Sequence, residues 1–335
     1  MSGRLSVADA EALAARALAA AGAGPEMARR TAAALVGAEI EGQAGHGLSR
    51  VPIYAGFLRE GRARGHAAPR LAAARGGMAL VDAANGLAYP ALARAEAEAA
   101  GRAREHGLAF VAVTNSHHAG ALSLPVRRLA EQGLVALALT NSPAAMPVPG
   151  GRRPLLGTNP VAAAFPRRAA PPLLVDLALS EVARGKIMVA VQEGRPIPEG
   201  WALDAEGRPT TDPKAALGGA MLAIGGPKGA ALALVVELLC CALGGAAFGF
   251  EADSFFAPSP NPPRLGQALL ALDPGALTGV DAFAERLEAM VAAMLAEPGV
   301  RLPGARREAL REAARREGIA VPPALLAELH ALAGT

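Results

Sequence analysis

The stretch from Ala109 to Ser142, AFVAVTNSHHAGALSLPVRRLAEQGLVALALTNS, contains the pattern that decides the fold. Two apolar runs, Ala109–Thr114 and Val135–Thr140, flank Leu122–Gln132, which has the residue spacing of a helix. Polar residues follow each apolar run directly. A strand, a helix and a second strand with polar residues at the strand ends are typical of an α/β core that carries its chemistry at those ends. The stretch therefore predicts an α/β protein.

Helical patterns flank this core towards both ends of the chain. Residues 7–40 contain two Ala-rich helical patterns separated by Ala23-Gly24-Pro25, and either Ser6 or Asp9 is suited to cap the first of them. The remaining predicted elements are strands at Met78–Asp82, Leu173–Leu177 and Gly266–Asp273, helices at Val51–Leu58, Pro90–His106, Ser180–Val191, Ala230–Leu243, Asp281–Ala296, Arg307–Glu317 and Pro322–Leu332, and a loop at Gly194–Pro213.

The composition excludes several classes of protein. Of the 335 residues, 52% are hydrophobic but only 3% aromatic, so the core must consist of closely packed small side chains. The most apolar stretch, Ala230–Gly245, contains Glu237 and is shorter than the ~20 residues that span a bilayer. Cations (33) nearly balance anions (30), and the arginines are interleaved with acids, which does not favour nucleic-acid binding. We expect a cytoplasmic protein without membrane or nucleic-acid partners.

The two cysteines and the glycine-rich motifs exclude further classes. Cys240 and Cys241 are adjacent in an apolar segment, which indicates core packing and leaves no zinc site or disulfide framework. The nearest approach to a dinucleotide fingerprint, Gly45-His46-Gly47, lacks the third glycine and follows a helix rather than a strand. A Rossmann-type nucleotide site is therefore not expected.

The segment around His46 combines three functional groups. If a helix resumes here, Arg50 and Tyr54 lie on one face, and His46 lies four residues before Arg50. That face would offer a titratable imidazole, a clamp for a carboxylate and a phenol. The alternative is a plain helix junction with a surface arginine and a capping histidine.

Other polar clusters lie among small residues, and each has a structural alternative. His117 and His118 follow a strand without Asp, Glu or Cys at ligand spacing, so we expect no metal site there. Lys228 stands in Gly225–Gly229 at the start of a helix, a plausible site for a phosphate, although such glycines also permit close packing. Unaided, these residues support an α/β enzyme that binds a small acid or a phosphate, with no reaction type fixed.

The motifs in their order resemble the malate/L-lactate dehydrogenase family of NAD(P)-dependent oxidoreductases. The similarity covers about residues 40 to 275 and is carried by Gly45-His46-Gly47-x-x-Arg50, Ser116-His117-His118, Gly157-Thr158-Asn159-Pro160 and Pro227-Lys228-Gly229. Within the family the chain is most similar to Δ1-piperideine-2-carboxylate/Δ1-pyrroline-2-carboxylate reductases, on Asn85-Gly86-Leu87-Ala88, the doubled histidine, Pro149–Leu155 and Lys228–Leu232.

The resemblance implies a fold and a division of the chain. The fold is the non-Rossmann type of this family, with a mixed sheet core and with N- and C-terminal helices packed together. Residues 1–70 would form the helical N-terminal part of a substrate domain, residues 71–275 the central α/β region that binds NADPH and substrate, and residues 276–335 the C-terminal helices packed on the N-terminal part. Members of the family pair as homodimers, so we expect a homodimer.

The resemblance also implies a role for each matching residue. His46 would be the proton donor, Arg50 would clamp the substrate carboxylate, and Thr158 would contact the substrate. The cofactor would be NADPH, with NADH as the alternative, and no metal is implied. The residues that would bind the cofactor are His118, Ala119, Gly120, Ala121, Leu122, Asp176, Leu177, Ala178, Pro227, Lys228, Arg301 and Arg306.

The implied activity is the NADPH-dependent reduction of a cyclic imine 2-carboxylate to L-pipecolate or L-proline. Such reductases place a Ser directly before the catalytic His and supply an Asp that supports it, whereas this chain has Gly45 and Lys186 at those positions. Something else, such as a water, Tyr54 or a backbone carbonyl, would then orient His46. The wider family carries a Gly-Lys pair at the second position, so a 2-hydroxy-acid/2-oxo-acid dehydrogenase of malate, lactate or ureidoglycolate type is the alternative.

Overall fold

The computed structural model describes residues 3–255 and 260–335. Within this part of the chain the α-helices are α1 (Val7–Ala20), α2 (Pro25–Ile40), α3 (Arg50–Arg59), α4 (Ala88–His106), α5 (Ser123–Ala130), α6 (Arg184–Glu193), α7 (Pro213–Gly218), α8 (Pro227–Glu237), α9 (Val280–Leu295), α10 (Ala305–Glu317) and α11 (Pro323–Ala333).

The strands form one large sheet and two small ones. The described strands are β1 (Gly3–Leu5), β2 (Arg70–Arg75), β3 (Met78–Asp82), β4 (Leu108–Ser116), β5 (Val135–Thr140), β6 (Val161–Phe165), β7 (Leu173–Leu177), β8 (Ala202–Leu203), β9 (Pro209–Thr210), β10 (Ala220–Met221), β11 (Leu265–Leu272) and β12 (Ile319–Val321).

The large sheet is mixed and has the order β2-β3-β4-β11-β5-β6-β7. Strands β3 and β4 are parallel, while β11 runs antiparallel to both of its neighbours, β4 and β5. The strand–helix–strand unit predicted from residues 109–142 is therefore present, but β11 lies between its two strands. The expected mixed sheet is confirmed.

Each face of the sheet supports its own core. Neighbouring residues Ala268 and Leu269 of β11 point to opposite faces, as successive strand residues do, and belong to different clusters of buried side chains. One cluster packs the sheet against α1 to α5 and reaches Leu329 of α11; the other packs it against α6 to α8. Alanine is abundant in both, so these layers pack closely without aromatic bulk.

The two ends of the chain pack together, as expected. Strand β1 pairs with β12 antiparallel, and α1 contacts α11. The Ser6 side chain accepts a hydrogen bond from the backbone N–H of Asp9 and so caps α1. The proposed three-part division of the chain, at residues 70 and 275, stays a prediction.

Three sequence-based assignments need correction. The helix expected from Ser180 begins only at Arg184, because the backbone at Ser180 pairs with Ala223 as a β-bridge instead. The loop expected at Gly194–Pro213 contains β8 and β9, and β2 was not predicted because nearly all of its residues are exposed at the sheet edge. Patterns of hydrophobicity do not reveal such short or exposed strands.

The prediction of a helix over Ala230–Leu243 needs two further corrections. The α-helix ends at Glu237, and Leu238–Ala242 form a π-helical turn. One side of this segment is also exposed and apolar, including Leu232, Val235 and Leu238. Its two cysteines are buried and free, in accordance with the expectation of core packing.

Candidate active site

His46 and Arg50 lie in the short segment that joins α2 to α3. A single 3₁₀ turn ends at His46, and α3 begins at Arg50. At this bend Gly47 leaves room for the Glu39 carboxylate, which a Cβ atom would force to move. The Nε atom of Arg50 donates a hydrogen bond to the carbonyl oxygen of Gly45 at 2.6 Å, which holds the guanidinium close to His46.

Four side chains form what we call the histidine cluster: His46, His118, Tyr54 and Tyr89. The rings of His46 and His118 are nearly parallel, with centroids 5.3 Å apart. The hydroxyl of Tyr54 lies 2.6 Å from Nδ1 of His118 and 3.2 Å from the hydroxyl of Tyr89. The cluster thus joins the end of β4, through His118, to the first turn of α4, through Tyr89, and to α3.

The structure corrects one suggestion about the support of His46. The phenol of Tyr54 is bound to His118 and Tyr89, and the Nδ1 atom of His46 is buried without a hydrogen-bond partner among the described residues. Tyr54 therefore does not orient His46 directly. The ring of His118 lies against it instead.

His117 points away from this cluster into an aromatic layer. Its ring lies 4.9 Å from the ring of Phe57 and 5.4 Å from that of Phe255, measured between centroids. The guanidinium of Arg62 lies over both phenylalanine rings and donates to the backbone of the segment that carries Phe255. The two adjacent histidines therefore face different surroundings, as expected for a strand-end turn.

Burial keeps the imidazoles of this region neutral. Loss of solvent, followed by the nearby charge of Arg50, lowers the pKa of His46 to about 4, while Asp176 acts in the opposite direction. Burial and the Arg50 charge also hold the pKa of His118 well below its usual range. Burial and Arg62 lower the pKa of His117 to about 3. An anion placed beside Arg50 would counteract its effect on His46.

Thr158 lies in a tight turn at the start of β6. Its backbone N–H donates to the side-chain oxygen of Ser142 at 3.0 Å. Gly157 is packed so closely against Ser142 and the Asn159 side chain that a Cβ atom would not fit. The turn is therefore fixed, and Thr158 itself remains half-buried.

The start of α8 has the properties of an anion site. Gly225 and Gly226 both have φ of +62°, and Pro227 occupies the first helical position. The N–H groups of a first helical turn lack partners within the helix and carry the positive end of its dipole. The ammonium group of the exposed Lys228 adds a full positive charge. These groups fit a phosphate of a dinucleotide cofactor.

The remaining residues predicted to bind the cofactor are divided between two places. The segment from Ala119 to Leu122 follows β4, and its Gly120, with φ of +68°, packs against the hydroxyl of Tyr89 with no room for a Cβ atom. At the end of β7, the carboxylate of Asp176 accepts a hydrogen bond from Nη1 of Arg307 at 2.8 Å.

The structure brings together only part of the predicted set. His46, Arg50 and His118 lie side by side, and the charges of Asp176 and Arg307 act on His46. Lys228, Arg301 and Arg306 are exposed, and within the described residues no hydrogen bond or ion pair links them to the histidine cluster. Lys186 is also exposed, on α6.

Sequence reasoning missed several residues of the site. Tyr89, Phe255 and Arg307 each reach it from a distant part of the chain, without a local motif that would point to it. Tyr89 alone had a signal, because it directly follows the quoted Asn85-Gly86-Leu87-Ala88. In the described part of the chain, no group of three or more His, Cys, Asp or Glu side chains is arranged to hold a metal ion.

Comparison with known proteins identifies the family. The model of the malate/L-lactate dehydrogenase family matches residues 5–330. The chain belongs to this family. The resemblance inferred from the motifs is thereby confirmed, and so is the expectation of an NAD(P)H-dependent oxidoreductase. No helix in the described residues of this family member is long and apolar enough to cross a membrane.

Two curated relatives carry different activities in their names. A (2R)-3-sulfolactate dehydrogenase (NADP(+)) of Chromohalobacter salexigens is 51% identical over 333 residues, covering 99% of this chain and 99% of the relative. A Δ1-pyrroline-2-carboxylate/Δ1-piperideine-2-carboxylate reductase of Pseudomonas putida is 43% identical over 298 residues, covering 89% of this chain and 87% of the relative.

Solved structures repeat this division. The Δ1-piperideine-2-carboxylate reductase of Pseudomonas syringae pathovar tomato has a TM-score of 0.93 at 39% identity, covering 98% of this chain and 99% of that one. The sulfolactate dehydrogenase of Methanocaldococcus jannaschii has a TM-score of 0.90 at 29% identity, covering 99% and 97%. The family fold is therefore confirmed, while two substrate classes remain candidates.

Proposed function

We propose that this protein is an NADP-dependent dehydrogenase of a 2-hydroxy acid that carries a second acidic group, of the 3-sulfolactate type. The observation that carries the choice of substrate is the 51% identity to a sulfolactate dehydrogenase over 99% of both chains. Gly45 and Lys186 agree with it, since the imine reductases that the chain resembles have Ser and Asp at these positions.

The chemistry follows from the pair His46 and Arg50. The guanidinium of Arg50 has the planar fork that binds a carboxylate through two hydrogen bonds. The neutral imidazole of His46 accepts the proton of the 2-hydroxyl group when the acid is oxidised and returns it to the carbonyl oxygen in the reverse reaction. The nicotinamide cofactor supplies the hydride chemistry when it is bound. Thr158 contacts the substrate from the opposite turn.

Substrate binding prepares His46 for the reductive direction. In the free enzyme its pKa is lowered to about 4, so at neutral pH the ring carries no proton to donate. A substrate carboxylate on Arg50 compensates the guanidinium charge and adds a negative charge close to the ring, and both effects raise the pKa. A dianionic substrate has the larger effect, which suits this site to an acid with a second anionic group.

A second acidic group requires a second cation, and we propose Arg153 for this role. A cavity of about 290 Å³ is lined by Arg153, Leu155, Gly249 and Phe250, and Arg153 is the only charged residue among its described lining residues. Gly249 packs against Gly157, next to Thr158, so the cavity adjoins the substrate turn. We assign the sulfonate or second carboxylate to this guanidinium.

We assign the cofactor, NADPH, to the residues that the family resemblance names. The first turn of α8 with Lys228 would bind a phosphate, and the segment His118–Leu122 and the end of β7 at Asp176–Ala178 would line the site. Arg301 lies four residues before α10 and Arg306 is the second residue of that helix; both are exposed cations that can approach a further phosphate. The name of the relative that is 51% identical supports NADP over NAD.

Reduction of a cyclic imine 2-carboxylate is the second candidate function. It is favoured by the reductase relative at 43% identity and by the reductase structure with a TM-score of 0.93. It needs the same carboxylate clamp and protonation of a nitrogen in place of an oxygen. A cyclic imine 2-carboxylate has no second acidic group, so its reduction would not need the second cation, Arg153.

Steady-state turnover measured in parallel decides between the two. NADPH oxidation is followed with 3-sulfopyruvate, oxaloacetate, pyruvate, Δ1-piperideine-2-carboxylate and Δ1-pyrroline-2-carboxylate, and then with NADH in place of NADPH. We expect the largest kcat/KM for 3-sulfopyruvate with NADPH. A larger kcat/KM for either imine would replace the proposal with the second candidate. The variant Arg153→Gln should raise KM for 3-sulfopyruvate but not for pyruvate.

We further propose that the protein is a homodimer, as its family resemblance implies. The apolar side of the α8 segment, with Leu232, Val235, Leu238 and Leu243 between 46% and 55% exposed, is the surface that we assign to the contact. Light scattering should give twice the mass of the chain, and Val235→Glu should reduce it. A monomer at working concentration would contradict this assignment.

A further inference from the structure

Glu237, the last residue of α8, carries a buried charge that no function so far described uses. Its relative exposure is 2%, and none of the described Lys or Arg residues forms an ion pair with it. A buried carboxylate without a cation is costly unless several hydrogen bonds compensate its lost hydration. The partners of Glu237 therefore indicate what it is for.

Three of these partners are neutral N–H groups from separate segments, and the fourth is the thiol of Cys241, whose Sγ atom donates to Oε1 at 3.7 Å. Oε2 accepts a hydrogen bond from Nδ2 of Asn159 at 2.6 Å, and Oε1 accepts one from the backbone N–H of Gly249 at 2.6 Å and one from Nδ2 of Asn141 at 3.3 Å. We call Glu237, Asn141, Asn159 and Gly249 the Glu237 network. A carboxylate only accepts hydrogen bonds, so it matches a set of partners that all donate.

The shortest of the side-chain bonds fixes the substrate turn. Asn159 directly follows Thr158 and has a φ of +38°, a left-handed conformation that side-chain hydrogen bonds must hold in place. Its second amide proton is donated to the backbone carbonyl of Ala233 on α8 at 2.9 Å. Both protons of the amide thus attach the turn to one helix.

The helix itself changes geometry at this point. The α-helical part of the segment ends at Glu237, and the π-helical turn Leu238–Ala242 follows at once. π-Helical turns are rare in proteins, and those that occur are often found at functional sites. The first turn of the same helix contains Lys228, which we assign to the cofactor. One element thus carries the cofactor site at its first turn and the anchor of the substrate turn at its last.

We propose that Glu237 is a positioning residue for the substrate: by holding Asn159 it sets the position of Thr158 relative to Arg50 and His46. The inference rests on the proposed function, because it takes Thr158 as a substrate contact. Loss of the anchor displaces one wall of the site and leaves the histidine cluster intact. Its main effect is therefore on KM for the acid.

The first test is Glu237→Gln, which keeps the shape and removes the charge. A glutamine must turn its NH₂ group towards either Asn159 or Gly249, so one donor then faces another donor. We expect KM for the oxo acid to rise about tenfold, as for one lost charge-assisted hydrogen bond, and kcat to fall less than about threefold. A KM within twofold of the wild-type value would overturn the proposal.

The second test exchanges the two partners. Asn159→Asp alone places two carboxylates against each other and should raise KM more than Glu237→Gln does. In the double variant Glu237→Gln/Asn159→Asp, the new amide donates to the new carboxylate, although the bond to Ala233 is lost. We expect KM of the double variant to lie below that of Asn159→Asp. Additive losses would contradict a direct positioning contact.

Glu96→Gln is the matched control for a merely structural role. Glu96 is also a buried carboxylate, bound at 2.6 Å by two nitrogens of Arg128 between α4 and α5, remote from the substrate turn in the hydrogen-bond pattern. The Glu96→Gln variant should lower the melting temperature without changing KM for the acid. If the wild type turns over none of the acids, the proposed function fails; if it does and Glu237→Gln resembles Glu96→Gln in KM, only this inference fails.

Discussion

The histidine cluster and the Glu237 network are two buried polar regions that deal with charge in opposite ways. In the Glu237 network, three N–H groups and the thiol of Cys241 donate to one carboxylate, so hydrogen bonds compensate its burial. In the histidine cluster, His46 and His118 face the positive charge of Arg50, and their burial is uncompensated, so both rings stay neutral. The hydrogen bonds of the Glu237 network are complete without a ligand. The histidine cluster, in contrast, would gain a compensating negative charge only when an anionic substrate binds beside Arg50.

The difference separates the residues that we propose to hold the site from those that we propose to react. A group whose protonation must change during turnover cannot be surrounded by donors that fix one state. Nδ1 of His46 has no partner among the described residues, in keeping with a ring that is free to gain and lose a proton. Substitutions in the cluster should therefore act on kcat, and substitutions in the network on KM.

Removing the reacting group should have the largest effect. In His46→Ala we expect kcat for an oxo acid to fall by about 10² to 10⁴, the range for a lost general acid. An imine is more basic than a carbonyl oxygen and can take its proton from solvent, so it should lose less on the same variant. Steady-state kinetics on both substrate classes checks this.

The matching control for His46→Ala is the affinity for substrate. KM for the acid should change little, because this variant retains Arg50, the clamp that we propose for the carboxylate. If every activity of His46→Ala stays within a few-fold of wild type, the proton donor is another residue, and His118 becomes the candidate.

A change of the clamp should have the next largest effect. In Arg50→Lys we expect KM for the acid to rise by about 10- to 100-fold, because a point charge does not reproduce a planar fork with two hydrogen bonds. The lysine keeps the positive charge close to His46, so kcat should change less than KM. A fall confined to kcat would show that Arg50 acts on the reaction and not on binding.

The cofactor cation should have a smaller effect. Lys228 is exposed at the start of α8, so Lys228→Ala removes one charge from an anion site whose helix N–H groups remain. We expect about a tenfold weaker Kd for NADPH in calorimetry and an unchanged melting temperature. An unchanged Kd would remove Lys228 from the site. Lys214→Ala, which removes a lysine of α7 outside the assigned site, is the control.

The smallest effect should come from His117, which we expect to influence the stability of the fold in acid but not the catalytic mechanism. The pKa of His117 is lowered to about 3 in the folded protein, against about 6.5 in an unfolded chain. Below about pH 6.5 the unfolded state therefore binds a proton that the folded state rejects, and stability falls as the pH falls towards 3. In His117→Phe, which keeps a ring between Phe57 and Phe255, urea unfolding midpoints at pH 7, 6 and 5 should decline less steeply than in wild type.

The sequence predicts the local parts of the molecule well. The strands at Met78–Asp82, Val135–Thr140 and Leu173–Leu177 have the expected bounds, because each is an apolar run between turn residues. His46 and Arg50 are adjacent for the same reason, since four residues of chain suffice to bring them together. Long-range contacts have no such signal. Neither the insertion of β11 between β4 and β5 nor the bond between Asn159 and Glu237 is encoded within one window of sequence.

Gly45 and Lys186, which stand where the imine reductases have Ser and Asp, also show that sequence alone does not reveal long-range contacts. The sequence raises the question of what supports His46, but the answer depends on a ring 72 positions away in the numbering, that of His118, and on the charges of Asp176 and Arg307. Only the fold brings these groups together. Family motifs name the residues, and the geometry shows which of them touch.

Proton uptake on binding of an unreactive anion tests whether an anion beside Arg50 raises the pKa of His46. Oxalate, a small dicarboxylate, is titrated into the enzyme–NADP complex at pH 6 by calorimetry, in buffers with different ionisation enthalpies. If an anion on Arg50 raises the pKa of His46 from about 4, binding takes up a substantial fraction of a proton, and His46→Gln abolishes most of this uptake. Binding heats that do not depend on the buffer, or an uptake that survives in His46→Gln, would contradict the account.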